Sequence, residues 1–215
     1  MNLLAVLFSQ PLVFLVMALV FLLVLSLHEA SHALAAFWLG DMTAKRAGRL
    51  TLDPRAHIDW IGLLMLLVIG FGWGKPVPFN PYNLKYPRWG ATLVAAAGPL
   101  SNFITGAVFA FLFRVLHDAF SDTNLLMFFL QYGAFLSFLL GIFNLIPVPP
   151  LDGSKVLLAA LANEKYKNIR FFLETRGSLI LLALVFLDLI GGVGVFSWIS
   201  HAATYLLATI SGVGF

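Results

Sequence analysis

Long apolar runs, separated by short polar stretches, dominate the pattern along this chain. The first run predicts a helix from residue 11, where Pro11 opens it, to residue 39, where Gly40 ends it. At 1.5 Å per residue this helix is about 43 Å long, more than the roughly 30 Å hydrocarbon core of a bilayer. We therefore expect a membrane helix whose last turns approach or leave one interface.

Two more apolar runs predict membrane helices over 89–116 and 125–146, and prolines end the second of them. The run 60–71 is too short to cross a bilayer and leads into a stretch rich in glycine and proline, so we predict that it dips in and returns. Glycines at 191–194 interrupt the last apolar stretch. A short span, an interfacial helix and a hairpin arm all remain open for the residues that follow.

Composition supports a membrane protein. The chain is 60% hydrophobic and 11% charged, whereas soluble domains are about 45–50% apolar and about 25% charged. This balance excludes an ordinary soluble enzyme, a disordered chain and a coiled coil. The chain has no cysteine, which excludes disulfide scaffolds, thiolate metal sites and cysteine nucleophiles, so any metal must bind His, Asp or Glu.

The positive charges indicate the topology. Loops 40–88 and 147–176 hold seven and five of the 13 Lys and Arg residues, and the connection 117–124 holds none. The positive-inside rule places both basic loops in the cytoplasm. The excess of basic residues is therefore a topology signal, and we expect no nucleic-acid partner.

Ionisable residues at membrane depth are costly and mark candidate functional sites. His28, Glu29 and His32 form an H-E-x-x-H motif in the first predicted span. The two histidines are four residues apart and share one helix face, where both can bind one metal ion, with Glu29 beside them. This pattern is typical of zinc hydrolases. Structural hydrogen bonding by the two histidines is the alternative.

A catalytic zinc site needs a third protein ligand. Asp152 is the best placed acid, since it follows a proline-rich stretch at the same end of its span as His28. The sequence therefore predicts one Zn²⁺ per chain, held by His28, His32 and Asp152. Asp152 as a helix N-cap, and Glu164 or Glu174 as the third ligand, remain alternatives. His57 and Asp59 are weaker candidates for extra metal ligands.

With these motifs the chain resembles the site-2 protease family of intramembrane zinc metalloproteases in its minimal form. The resemblance rests on the H-E-x-x-H motif, on Asn144 eight residues before Asp152, and on the stretch 97–102 that ends in Asn102. It implies a three-helix core with zinc near the cytoplasmic face. It also implies Glu29 as catalytic base, Asn144 as a group that steadies the tetrahedral intermediate, and Asn102 as a substrate clamp.

Cleavage within a membrane helix requires that the substrate be extended, because a helix hides its peptide bonds. The stretch 74–82 contains three prolines and predicts an extended re-entrant strand that adds a substrate strand at its edge. Pro78, Phe79 and Asn80 are the predicted substrate-binding residues there. A rigid interfacial turn is the alternative. The alternating stretch 49–54 predicts a short strand in a cytoplasmic hairpin that covers the site.

We therefore predict an all-α polytopic membrane protein with a three-helix catalytic core, flanking helices and a small re-entrant or β-hairpin element. Residues 1–160 would form the intramembrane metalloprotease core, and 161–215 a cytoplasmic linker with C-terminal membrane segments. The expected location is the cytoplasmic membrane, with the active site near the cytoplasmic face.

The expected function is hydrolysis of a peptide bond within or next to the transmembrane segment of a membrane-anchored, signalling protein. Its partners would be that substrate and the lipid bilayer, with the oligomeric state open. A divalent metal or proton transporter is the main alternative, since histidines and acidic residues inside the membrane also mark ion paths. A non-enzymatic membrane adaptor comes last.

Overall fold

The computed structural model describes residues 3–121, 124–192 and 194–213. Within these residues the chain forms α-helices joined by loops and short 3₁₀ turns. The helices are α1 (Leu3–Ser9), α2 (Pro11–Trp38), α3 (Thr43–Arg46), α4 (Trp60–Ile69), α5 (Gly90–Leu116), α6 (Leu125–Asn144), α7 (Gly153–Ala160), α8 (Lys167–Gly191) and α9 (Ser197–Ser211).

Helices α2, α5 and α6 are long and apolar enough to cross a membrane. They match the three spans expected from the sequence to within two residues at each end. α4 is the short apolar helix between them. The predicted all-α class is confirmed, and the chain is a multi-pass membrane protein.

Glycines let α5 and α6 approach each other closely. A side chain at Gly106 of α5 would lie 2.7 Å from the ring of Phe138 on α6, and one at Gly133 of α6 would lie 2.6 Å from Phe109 on α5. Each glycine therefore receives an aromatic ring from the facing helix, a small-residue packing suited to lipid. α9 joins this contact and buries Ala203 against the α5–α6 pair.

The chain folds back on itself around α4. Asp59 caps this helix by accepting hydrogen bonds from Ile61 N and Gly62 N, and Gly70 ends it in the left-handed conformation. The returning chain then packs on Gly62, where a Cβ would lie only 2.1 Å from the Trp73 carbonyl oxygen. This return agrees with the predicted re-entrant element.

The predicted β-structure is reduced to one contact. Ile58 and Gly74 form an antiparallel bridge, and no strand is present in the residues that the structure describes. The expectation of a short strand over 49–54 is wrong. Thr51 Oγ1 accepts a hydrogen bond from Asp53 N, and Asp53 in turn caps a 3₁₀ turn. These local side-chain bonds take the backbone out of strand pairing.

Candidate metal centre

Two histidines of α2 face each other one helical turn apart. His28 and His32 are 6% and 8% exposed, and their Nε2 atoms are 3.0 Å apart. Because residues i and i+4 lie on the same helix face, both imidazoles point towards α5 and the loop before α7. The H-E-x-x-H motif therefore has the geometry that the sequence predicts.

Asp152 reaches the histidines from the loop that follows α6. Its Oδ2 atom lies 3.2 Å from His28 Nε2 and 3.3 Å from His32 Nε2. Gly153 lets this loop fold back, since a Cβ there would meet the Leu145 carbonyl oxygen at 2.2 Å. Asp152 makes no side-chain cap bond to α7. Its carboxylate faces the histidines instead.

The three facing atoms match a tetrahedral metal site. Their separations are 3.0, 3.2 and 3.3 Å. Ligand atoms at about 2.0–2.1 Å from a tetrahedral zinc ion would be about 3.3 Å apart. A carboxylate ligand must be ionised, and this is the ordinary state of an aspartate side chain at neutral pH.

Hydrogen bonds on the far side of each ring favour metal binding. His32 Nδ1 lies 2.8 Å from the carbonyl oxygen of Val94, so Nδ1 carries the proton and Nε2 keeps a free lone pair. Asn102 is fully buried, its Nδ2 lies 3.1 Å from His28 Nδ1, and its Oδ1 has no partner among the described residues. A half-turn of this amide pairs Oδ1 with Nδ1–H of His28 and satisfies both groups.

The donor set therefore fits a metal ion. Asp152 Oδ2 is buried without a hydrogen-bond partner among the described residues, and it faces two imidazole nitrogens. Such orphaned acceptors are costly unless a cation joins them. Two histidines and one carboxylate form the three-ligand set typical of catalytic zinc sites.

A cavity of about 570 Å³ opens beside these ligands. Glu29, 9% exposed, lies in its wall next to His28. Asn144 also lines the cavity, and its Nδ2 donates to the Leu140 carbonyl oxygen at 3.0 Å. This bond uses one of the two amide hydrogens and leaves the other for a ligand. The ligands, Glu29 and Asn144 thus share one cavity.

The predicted substrate-binding residues lie in different places. Phe79 lines the cavity, as do Pro76 and Val77, which the sequence did not single out. Pro78 lies in the same segment but does not line the cavity. Asn80 accepts a hydrogen bond from Tyr82 N and caps a 3₁₀ turn. The roles of these residues towards substrate stay predictions.

The alternative metal ligands lie elsewhere. Glu174 pairs with Arg170 at 3.0 Å on an exposed face of α8, and Glu164 lies 3.7 Å from Lys167. His57 is fully buried, and its Nε2 lies 2.9 Å from the carbonyl oxygen of Thr51. Within the described residues, His28, His32 and Asp152 are the group that could hold a metal ion.

Gly98 is a site residue without a role in the sequence analysis. A Cβ at this position of α5 would lie 2.4 Å from His32 Nε2 and 2.6 Å from His28 Cε1. The missing side chain therefore makes room for both imidazoles against α5. A glycine directly before Pro99 within an apolar span was the available signal.

Comparisons with known proteins show similarity to zinc metalloproteases. The model of peptidase family M50 matches residues 113–187. YwhC of Bacillus subtilis (strain 168), whose name gives zinc metalloprotease as a provisional activity, is 43% identical over 139 residues, which are 61% of this chain and 63% of that protein. The predicted resemblance to the site-2 protease family is confirmed.

Two further relatives have similar names. Rip2 of Mycobacterium tuberculosis (strain ATCC 35801 / TMC 107 / Erdman), also provisionally named a zinc metalloprotease, is 34% identical over 151 residues, 67% of this chain and 57% of that protein. Zinc metalloprotease MJ0392 of Methanocaldococcus jannaschii is 36% identical over 106 residues, 47% of this chain and 30% of that protein. The chain thus spans less than two thirds of each. No solved structure matches it significantly.

Replacement of Asp152 tests the ligand set. We expect Asp152→Ala to weaken Zn²⁺ binding at least tenfold, because two neutral imidazoles alone complete neither the charge nor the geometry of the site. Glu174→Ala is the matched control, since it removes an exposed carboxylate. Metal content after dialysis against a graded chelator measures the difference, and equal retention by both variants would rule out Asp152 as a ligand.

Replacement of Gly98 tests the packing of the imidazoles. We expect Gly98→Ala to displace both rings and to lower the metal content of the folded protein severalfold. Gly106 lies on α5 like Gly98, but a side chain there would crowd Phe138 of α6 and touch no ligand. The Gly106→Ala variant should therefore be less stable but keep its metal. Metal per folded protein, measured after size-exclusion chromatography in detergent, separates the two effects.

Proposed function

We propose that this chain is an intramembrane zinc metalloprotease, which hydrolyses a peptide bond within or next to the transmembrane segment of a membrane-anchored protein. The observation that carries the proposal is that the side chains of His28, His32 and Asp152 face one another. They do so beside Glu29, in a cavity between membrane-spanning helices. Such groups are too costly at membrane depth to persist without a function.

His28, His32 and Asp152 would hold one Zn²⁺ per chain. The metal would supply Lewis-acid activation of the scissile carbonyl and of the attacking water. The fit rests on the 3.0–3.3 Å separations of the three ligand atoms. Two neutral histidines and one carboxylate reduce the charge of the buried cation and so lower the cost of its burial.

Glu29 would act as the general base. It would take a proton from the attacking water and later give it to the leaving amine. Its place in the cavity wall beside both histidines supports this role, since a base must lie within reach of the water it activates. Asn144 would donate its free amide hydrogen to the oxyanion, a contribution of about 2.7–4 kcal/mol in other acyl-transfer enzymes.

The substrate would bind as an extended segment along residues 74–80. Phe79 lies in the cavity wall, Pro78 keeps the segment from forming a helix, and Asn80 fixes its far end through a 3₁₀ turn. Asn102 is better supported as the group that orients His28 than as a substrate clamp, because it does not line the cavity.

The proposed location is the cytoplasmic membrane, with the site near the cytoplasmic face. The support is the charge pattern, since both basic loops adjoin the ends of α2 and α6 where the ligands lie. A transmembrane substrate and the lipid bilayer are the proposed partners. The signalling class of the substrate rests on family resemblance alone.

A transporter receives no support from the structure. An ion path needs several polar sites in series across the bilayer. The described residues contain one group that could hold a metal ion, at one end of the spans.

Glu29→Gln tests the hydrolase. This variant keeps the metal ligands but removes the base, so we expect metal content equal to wild type and a loss of cleavage of at least a hundredfold. The assay uses purified protein in lipid vesicles with a model transmembrane substrate. Glu174→Gln, which alters an exposed carboxylate of the same kind, should cleave like wild type.

The other outcomes decide against the proposal. If wild-type protein prepared with excess metal contains no Zn²⁺, the assignment of a metal centre is wrong. If Glu29→Gln is fully active, Glu29 is not the general base. Zn²⁺ flux across vesicles by both proteins, without cleavage, would support a transporter instead.

A further inference from the structure

The extended segment 74–80 passes along the cavity wall without helical or sheet support over most of its length. Its first residue is bridged to Ile58, and Lys75 N donates to the His57 carbonyl oxygen at 2.8 Å. Beyond this point it has no regular secondary structure. Other groups must therefore set its position, since a loop without partners would sample many conformations.

Arg49 holds the beginning of this segment. Its guanidinium donates to the carbonyl oxygens of Lys75 and Pro76, the latter at 3.1 Å. The Arg49 side chain is buried, although it carries a full charge. His57 lies against it with Nδ1 3.5 Å from a guanidinium nitrogen. Two charge-assisted bonds from one rigid group fix both the position and the direction of the backbone.

Asp41 holds the other end. It is fully buried, and its carboxylate accepts hydrogen bonds from Asn80 N at 2.6 Å and from Asn83 Nδ2 at 3.0 Å. Burial raises the pKa of Asp41, but hydrogen bonds from Asn83, Thr43 and Asn80 outweigh it and lower this pKa. Asp41 follows α2 directly, so it ties the segment to the helix that carries His28.

Between these two anchors the backbone keeps free donors. Pro76 and Pro78 have no N–H, and the N–H groups of Val77 and Phe79 make no hydrogen bond to any residue that the structure describes. Val77 and Phe79 both line the cavity, so these unpaired donors belong to residues that border the space where an extended peptide would lie.

We propose that Arg49 and Asp41 are positioning residues, which hold residues 74–80 from both ends so that the N–H groups of Val77 and Phe79 can bind the backbone of the substrate. Neither residue lines the cavity, so both act through the segment. The proposal rests on the protease function proposed above and names how that site orients its substrate.

Kinetics of Arg49→Gln and Asp41→Asn give the first test. Backbone pairing contributes to substrate and transition state alike, so its loss should raise KM and change kcat little. We expect a KM about tenfold higher, the loss expected from one or two charge-assisted hydrogen bonds, with kcat within about threefold of wild type. Arg55→Gln is the matched control, since its guanidinium is exposed, pairs with Asp53 and touches no part of the segment.

A second test follows the segment itself and needs no activity. The chain has no cysteine, so Val77→Cys provides a unique thiol. We expect Arg49→Gln and Asp41→Asn in this background to raise the rate of thiol labelling severalfold, because the released segment exposes position 77. Arg55→Gln should leave the rate unchanged.

The two tests separate this proposal from the protease function. If wild type does not cleave the substrate, the proposed protease function is wrong. The labelling rates would still show whether Arg49 and Asp41 hold the segment in place. Cleavage by wild type, with KM and labelling unchanged in both anchor variants, would overturn the positioning role. Loss of bound Zn²⁺ from both variants would also overturn it, since the two charges would then support the metal centre.

Discussion

The structure depends on one constraint, that polar groups at membrane depth must find partners inside the protein. His28, His32 and Asp152 face one another, so a cation bound among them would satisfy this constraint, and the neighbouring helices are arranged around these three side chains. α5 supplies a glycine where the rings need room, a carbonyl for His32, and the Asn102 amide for His28. The loop after α6 bends back to bring Asp152 to the histidines.

Local pattern accounts for much of the fold. The length of the apolar runs and the prolines and glycines near their ends predicted the ends of α2, α5 and α6. A membrane helix must be both continuous and apolar. The ligands of α2 follow from helical spacing alone. Asp152 followed from its position after a proline-rich break at one membrane face. In each case the information lies within a few consecutive residues.

Contacts between distant parts of the chain could not be predicted from these local patterns. Asn102 looks like a substrate contact by its motif, yet it lies against His28, 74 positions earlier in the chain. The stretch 49–54 alternates like a strand, but capping by Asp53 and Thr51 and the burial of Arg49 decide its conformation. Alternation of apolar and polar residues does not show which partner an edge finds.

The order of the ligands along the chain has a consequence for biogenesis. His28 and His32 belong to the first membrane-spanning helix, whereas Asp152 follows the third. The two histidines are therefore synthesised and inserted long before their carboxylate partner exists. A complete donor set forms only after all three helices have entered the bilayer and α6 has packed on α5. Metal loading at this site would thus be a late event, coupled to completion of the fold.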